Sequence, residues 1–247
     1  MITKAAVTDI GRKRKVNQDY VFASEKPVGK FPGLYILADG MGGHNAGDYA
    51  SRYLVETVVK MMEKSEATAV RALRAAIDMA NLLILRKADS DEKLSGMGST
   101  IVAAVIDEAA MTVANVGDSR LYIVRNGLRQ ITKDHSLVEE MIRSGKIERN
   151  SEEYRKNRHI ITRAVGAEPV VDTDIFEVEL EDGDYVLMCS DGLSNMVDED
   201  TILSVVTGTG SIRYKANTLV KMANENGGTD NIAVILLKYE KGGDRIG

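Results

Sequence analysis

The stretch Leu121-Tyr122-Ile123-Val124-Arg125-Asn126-Gly127-Leu128-Arg129-Gln130-Ile131 sets two short apolar runs on either side of an Asn-Gly pair. Both turn residues tolerate positive φ, which makes the pair the strongest short-range hairpin signal. Glu181-Asp182-Gly183-Asp184 reads as a second such turn. Hairpins impose antiparallel pairing, so stacked antiparallel sheets with helices outside are expected rather than a doubly wound parallel sheet. Outward from this point, strands are expected at 2–8, 20–23, 34–38, 100–106, 111–116, 121–124, 128–131, 175–180, 185–189 and 232–237. Three stretches carry helical period instead: Ala50, Leu54, Val58 and Met61; Val70, Leu73, Ile77, Ala80 and Ile84; and Ile212, Ala216, Leu219 and Ala223. A further short helix is expected from Ser136 to Ser144. Asn45 and Thr68 are N-cap candidates, and Gly227-Gly228 stops the last helix. The charge-dense segment Gly145 to His159 shows no usable period and reads as a surface excursion.

The composition excludes several classes. Of 247 residues, 44% are hydrophobic and 28% charged, which disfavours disorder, collagen-like repeats and disulfide scaffolds. The 32 basic residues fall short of the 37 acidic ones, a net charge of −5 that argues against a nucleic-acid or anionic-membrane partner. No apolar run approaches the length of a membrane helix, and no targeting segment is recognisable, so a cytoplasmic protein without membrane insertion is expected. The single cysteine, Cys189, fits a reducing compartment and a structural role in a buried strand.

The chemistry is signalled by aspartates beside glycine at strand ends: Asp39-Gly40, Gly117-Asp118, Asp191-Gly192 and Gly228-Thr229-Asp230. Each pair alone is also ordinary turn chemistry. Gathered together, such carboxylates would repel one another unless a cation neutralised them, and all-oxygen ligands select hard ions such as Mg²⁺ or Mn²⁺ over Zn²⁺. The glycine-rich stretch Asp39 to Gly47 runs from a strand into a helix but matches neither nucleotide-binding pattern: it lacks Gly-Lys-Ser/Thr, and Asn45 occupies the sixth position of Gly-x-Gly-x-x-Gly.

In this order the pieces resemble the metal-dependent serine/threonine protein phosphatases, the PPM or protein phosphatase 2C family, in its single-domain bacterial form. The likeness rests on Arg14-Lys15-Val16-Asn17-Gln18-Asp19, Asp39-Gly40-Met41-Gly42-Gly43-His44, Gly98-Ser99-Thr100 and Asn115-Val116-Gly117-Asp118-Ser119-Arg120. It continues through Thr132-Lys133-Asp134-His135-Ser136, Ile161-Thr162-Arg163-Ala164-Val165-Gly166, Ser190-Asp191-Gly192-Leu193 and Gly228-Thr229-Asp230-Asn231. The resemblance implies an α+β fold, a four-layer α-β-β-α sandwich, as one catalytic domain over 1–247 with a flap at about 145–159. It implies hydrolysis of phosphoserine and phosphothreonine by a metal-activated water at two Mn²⁺ or Mg²⁺ ions, with a third ion in bacterial relatives.

By the same resemblance Asp39 bridges the pair, Gly40 contributes its carbonyl, Asp191 and Asp230 complete the ligands, Asp19 lies close by, Asp118 serves the third ion, and Arg14 grips the phosphate. Met41 stands where animal relatives carry a histidine proposed as proton donor, which leaves His44 as the nearest candidate for that role and for substrate contact. Gln18 replaces an acidic residue common in relatives. His135 and His159 are expected in structural or substrate-contact roles, and Thr162 and Arg163 at the flap base. Implied partners are phosphorylated proteins and a cognate serine/threonine kinase, with the enzyme acting as a monomer. Two other readings share these residues: a catalytically idle phosphoprotein-binding regulatory relative, and a phosphatase of an anti-sigma-factor antagonist or small phosphate ester.

Overall fold

The computed structural model describes residues 1–43, 46–149 and 151–241. Eleven strands among them form two antiparallel sheets. One is built from β1 (Ile2–Asp9), β7 (Arg120–Val124), β8 (Leu128–Gln130), β10 (Tyr185–Cys189) and β11 (Ile232–Tyr239) in the order β1-β11-β10-β7-β8. The other contains β2 (Asp19–Ala23), β3 (Gly33–Met41), β5 (Ile101–Asp107), β6 (Ala110–Val116) and β9 (Asp174–Glu179) in the order β2-β3-β5-β6-β9, with the two-residue β4 (Gly98–Ser99) on the end of β3. The expected four-layer sandwich is what the chain adopts.

Strand alternation explains the layering. Along β3, Leu34, Ile36 and Ala38 pack beneath α1 (Ala46–Glu63) and α2 (Ala69–Ser90), while Tyr35 and Leu37 enter the seam between the sheets. Along β11, Ala233, Ile235 and Leu237 face that seam, and Ile232, Val234 and Leu236 meet the helices of the far layer. Those helices are α5 (Asp191–Ser194), α6 (Glu199–Thr207) and α7 (Ile212–Glu225). Strands covered on both faces lose the polar alternation of a one-sided sheet and read as continuous apolar runs. Each fully buried Leu or Ile contributes ~1.5–3 kcal/mol of transfer free energy.

Several local expectations need correction. The Asn-Gly hairpin forms, with Val124 opposite Leu128, but Gly127 alone takes a positive φ, of 151°, so the loop is not the type I′ turn that would need Asn126 there too. Glu181 to Asp184 does turn, yet it carries the chain from β9 in one sheet to β10 in the other. Arg125 holds this crossing through Asp184, Glu181 and the Glu179 carbonyl. The segment from Gly145 to His159 is not wholly irregular. Ser151 accepts a hydrogen bond from the Tyr154 N–H and starts α4 (Glu152–Asn157), whose acidic first turn and basic last turn suit the helix dipole. It follows α3 (Leu137–Arg143), which Ser136 caps in the same way. The helix α6 was not anticipated. Thr68 stands at the N-cap of α2 without a side-chain bond, and Asn45 lies outside the described residues.

Among the described residues no helix is long and apolar enough to cross a membrane. Cys189 is completely buried in β10, and burial pushes its thiol up to about 12. Iodoacetamide is therefore expected to leave the native protein unlabelled at pH 8 and to modify one thiol per chain after denaturation, as read by intact mass.

Candidate active site

The carboxylates come from the ends of both sheets. Register in the β2-β3 ladder sets Asp19 directly opposite Asp39. Asp118 follows β6 in a tight bend that requires glycine at 117: its φ is 109°, and an added Cβ would sit 2.6 Å from Thr100 Cβ. Asp191 opens α5 directly after β10, and Asp230 lies in the turn that feeds β11. A cavity of about 280 Å³ is lined by Asp39, Gly40, Asp118, Asp191, Asp230 and Arg14, together with His159, Met41 and Ile161. Asp19 sits behind this wall.

Backbone packing fixes these positions. An added Cβ on Gly40 would lie 2.0 Å from the Gly47 carbonyl oxygen, and one on Gly192 1.8 Å from the Asn231 carbonyl oxygen. Only glycine permits strand and helix to approach so closely. Asn231 ties the first loop to the site: its amide donates to the Ile10 and Val16 carbonyls, and its oxygen accepts from the Gln18 N–H. Ser190 Oγ donates to Asp19 Oδ2 at 2.7 Å and accepts from the Ala233 N–H, a buried link between the sheets. Asn195 donates to Asp191 Oδ2 at 2.9 Å. Thr100 and Ser99 hold the Asp39 backbone.

The electrostatics are strained without a cation. Burial, then the hydrogen bond from Ser190 acting downward, then the charges of Asp191 and Asp230 acting upward, leave the Asp19 carboxyl pushed up to about 8. Asp39 is raised well above the usual carboxylate range by burial and then by Asp19, Asp191, Asp118 and Asp230. Asp118 is raised by burial, then by Asp191 and Asp134. Asp191 rises to about 6 through burial and Asp230, with Arg14 opposing. Asp19 Oδ1 and Asp191 Oδ1 are buried with no hydrogen-bond partner. Buried acceptors of this kind are costly unless something positive meets them. Among the described residues no three His, Cys, Asp or Glu side chains cage a single ion by themselves. The cavity lining offers carboxylate and carbonyl oxygens, the donors that hard cations such as Mg²⁺ take. The donor set therefore fits a hard divalent ion.

Arg14, half exposed at the mouth, donates one N–H to Asp230 Oδ2 at 2.7 Å. Of the histidines, His159 lines the cavity and His44 lies outside the described residues. His135 sits behind the Asp118 bend, accepting from the Gly117 N–H at Nδ1 while Nε2 lies 3.3 Å from Asp174 Oδ2. Sequence reasoning quoted Ser190 within the Ser190-Asp191-Gly192-Leu193 motif without giving it a role and did not single out Asn195, whose only signal is its place one helical turn after Asp191.

Two sheets thus share at their ends a carboxylate pocket with an arginine at its mouth, and comparison by sequence matches the chain to the phosphatases of the metal-dependent class. A family model for protein phosphatase 2C matches residues 11–230. The chain belongs to the protein phosphatase 2C family and is a phosphoprotein phosphatase. It is 39% identical over 246 residues to the serine/threonine phosphatase stp of Listeria welshimeri serovar 6b, covering 96% of this chain and 97% of that one. Protein phosphatase PhpP of Streptococcus pneumoniae serotype 2 is 38% identical over 241 residues, covering 95% and 96%. The crystal structure of the Mycobacterium tuberculosis serine/threonine phosphatase PstP/Ppp superposes with a TM-score of 0.87 at 32% identity, covering 97% and 99%. The PstP catalytic domain in complex with two manganese ions gives 0.85 at 32%, covering 96% and 97%.

Proposed function

We propose that the pocket hydrolyses phosphoserine and phosphothreonine in proteins, with Asp39, the Gly40 carbonyl, Asp191 and Asp230 holding two Mn²⁺ or Mg²⁺ ions. The observation that carries this reading is the pair of buried, unpartnered oxygens on Asp19 and Asp191 within a set of mutually repelling carboxylates. Bound there, the ions supply a water nucleophile at neutral pH and offset phosphoryl charge. Asp19 steadies the site from behind through Ser190, and Asp118 serves a third ion. Arg14 spends one donor on Asp230 and keeps the rest of its planar fork for phosphate oxygens, a geometry that lysine lacks. His44 remains a candidate for substrate contact from the sequence, and His159 is the histidine with a place in the cavity wall.

We read the whole chain as one catalytic unit working as a monomer in the cytoplasm, with the 145–159 segment as a flap over substrate access. Its partners are phosphorylated proteins and the serine/threonine kinase that supplies them. The complete set of Asp39, Asp191 and Asp230 speaks against an idle binding module.

The test is turnover of a phosphothreonine peptide with manganese followed by EDTA. Release of phosphate is expected to fall to background on chelation and to return with excess Mn²⁺. Undiminished turnover under EDTA would defeat the proposal.

A further inference from the structure

We infer that the cleft beside the carboxylate pocket is a substrate subsite for an apolar side chain one or two residues from the phosphorylated residue. This rests on the proposed hydrolysis of phosphoproteins. The cleft has a volume of about 180 Å³ and its apolar lining is Met41, Ile161, Ala164, Ala167, Val170 and Val171. Met41 and Ile161 also line the carboxylate cavity, so the two spaces adjoin. An extended peptide advances ~3.3 Å per residue. With its phosphate among the carboxylates, a peptide that runs past Met41 and Ile161 sets a neighbouring residue over this cleft.

The wall is built rather than loose. Asn81, buried in α2, donates to the Glu168 and Pro169 carbonyls at 2.9 and 3.4 Å and accepts from the Gly166 N–H at 2.6 Å. Reciprocal bonds between Ser99 and Val165, both 2.9 Å, secure the other side. A buried asparagine with three bonds to one loop spares that loop the ordering cost at binding. On this wall Val170 is 84% exposed, an apolar side chain left to solvent.

Charge at the rim selects the occupant. Arg163 is engaged by Asp172 and Asp174 at 3.3 and 3.2 Å, so its positive charge is already matched. Glu168 adds negative charge at the edge beyond that pairing, which disfavours an acidic residue. An aliphatic side chain gains burial against Val170 and Ile161 without a desolvation cost.

The experiment compares phosphothreonine peptides carrying Leu, Asp or Lys in turn at each position from two before to two after the phosphoresidue. At one position Leu is expected to exceed both charged residues about tenfold in kcat/KM, the discrimination a partly buried aliphatic contact supplies. In Val170→Asp that preference is expected to turn toward the Lys peptide, and in Val170→Lys toward the Asp peptide. Equal rates at every position or a Lys preference in the wild type, or a Leu preference untouched by both substitutions, would overturn the subsite. Failure to hydrolyse any phosphopeptide, with a small aryl phosphate still cleaved, would instead overturn the protein-substrate reading beneath it.

Discussion

Asp191→Asn is expected to lower kcat/KM on a phosphothreonine peptide more than about a hundredfold while leaving the fold intact. The side chain opens α5 with Oδ2 held by Asn195 and Oδ1 buried and unpartnered. Asparagine has nearly the same shape, but it removes a charge and turns an amide toward the place a cation would occupy. Changes to residues that merely support metal ligands already cost 10 to 100-fold, so loss of a ligand should exceed that range. A second measurement separates charge from packing. If manganese binds only the folded state, it is expected to raise the melting temperature of the wild type, and this gain should be smaller in the variant. Without metal the variant should melt no lower than the wild type, because one of several mutually repelling carboxylates is gone. Wild-type turnover, or an unchanged manganese shift, would contradict the assignment.

Gly192→Ala should damage stability and activity together. Helix propensity alone favours alanine by about 1 kcal/mol. Against this, the new Cβ would lie 1.8 Å from the Asn231 carbonyl oxygen and 2.9 Å from its carbon, both backbone atoms that cannot rotate away. Overpacking typically costs 1–3 kcal/mol and sometimes more; a backbone contact this short belongs at the upper end, about 2–4 kcal/mol, which leaves a net loss of about 1–3 kcal/mol after the propensity gain. For a chain of this size that lowers the melting temperature by roughly 2–12 °C. The displaced backbone carries Asn231, which ties the loop over 10–18 to the site, and it separates Asp191 from Asp230. Turnover should fall even well below the melting temperature. Differential scanning fluorimetry and peptide hydrolysis at 20 °C measure both effects, and an unchanged melt would show that α5 shifts without strain.

Much of the architecture was readable because the strands are nearly unbroken apolar runs and α1, α2 and α7 keep a clear stripe. The turn at 181–184 misled because its chemistry is local, whereas the choice between returning to the same sheet and crossing to the other depends on Arg125, far off in sequence. The helix α4 hid in a charge-dense segment, where capping by Ser151 and the order of acidic before basic residues carry the signal that hydrophobic period lacks. Of the site, the residue types were visible and their meeting was not. Asp19 faces Asp39 through ladder register, and its hydroxyl donor Ser190 lies 171 positions away. No spacing rule reports a contact of that kind.

The first strand and the last lie side by side, Ile2–Asp9 against Ile232–Tyr239, with β11 between β1 and β10. Domains emerge from the ribosome beginning at the amino terminus. A growing polypeptide therefore holds β1 without its neighbour, and Asp39 without Asp230, until β11 and the turn that feeds it have been made. A fragment that stops short of β11 leaves β1 and β10 each with a bare edge and lacks Asp230, and it is expected to release no phosphate from a phosphothreonine peptide.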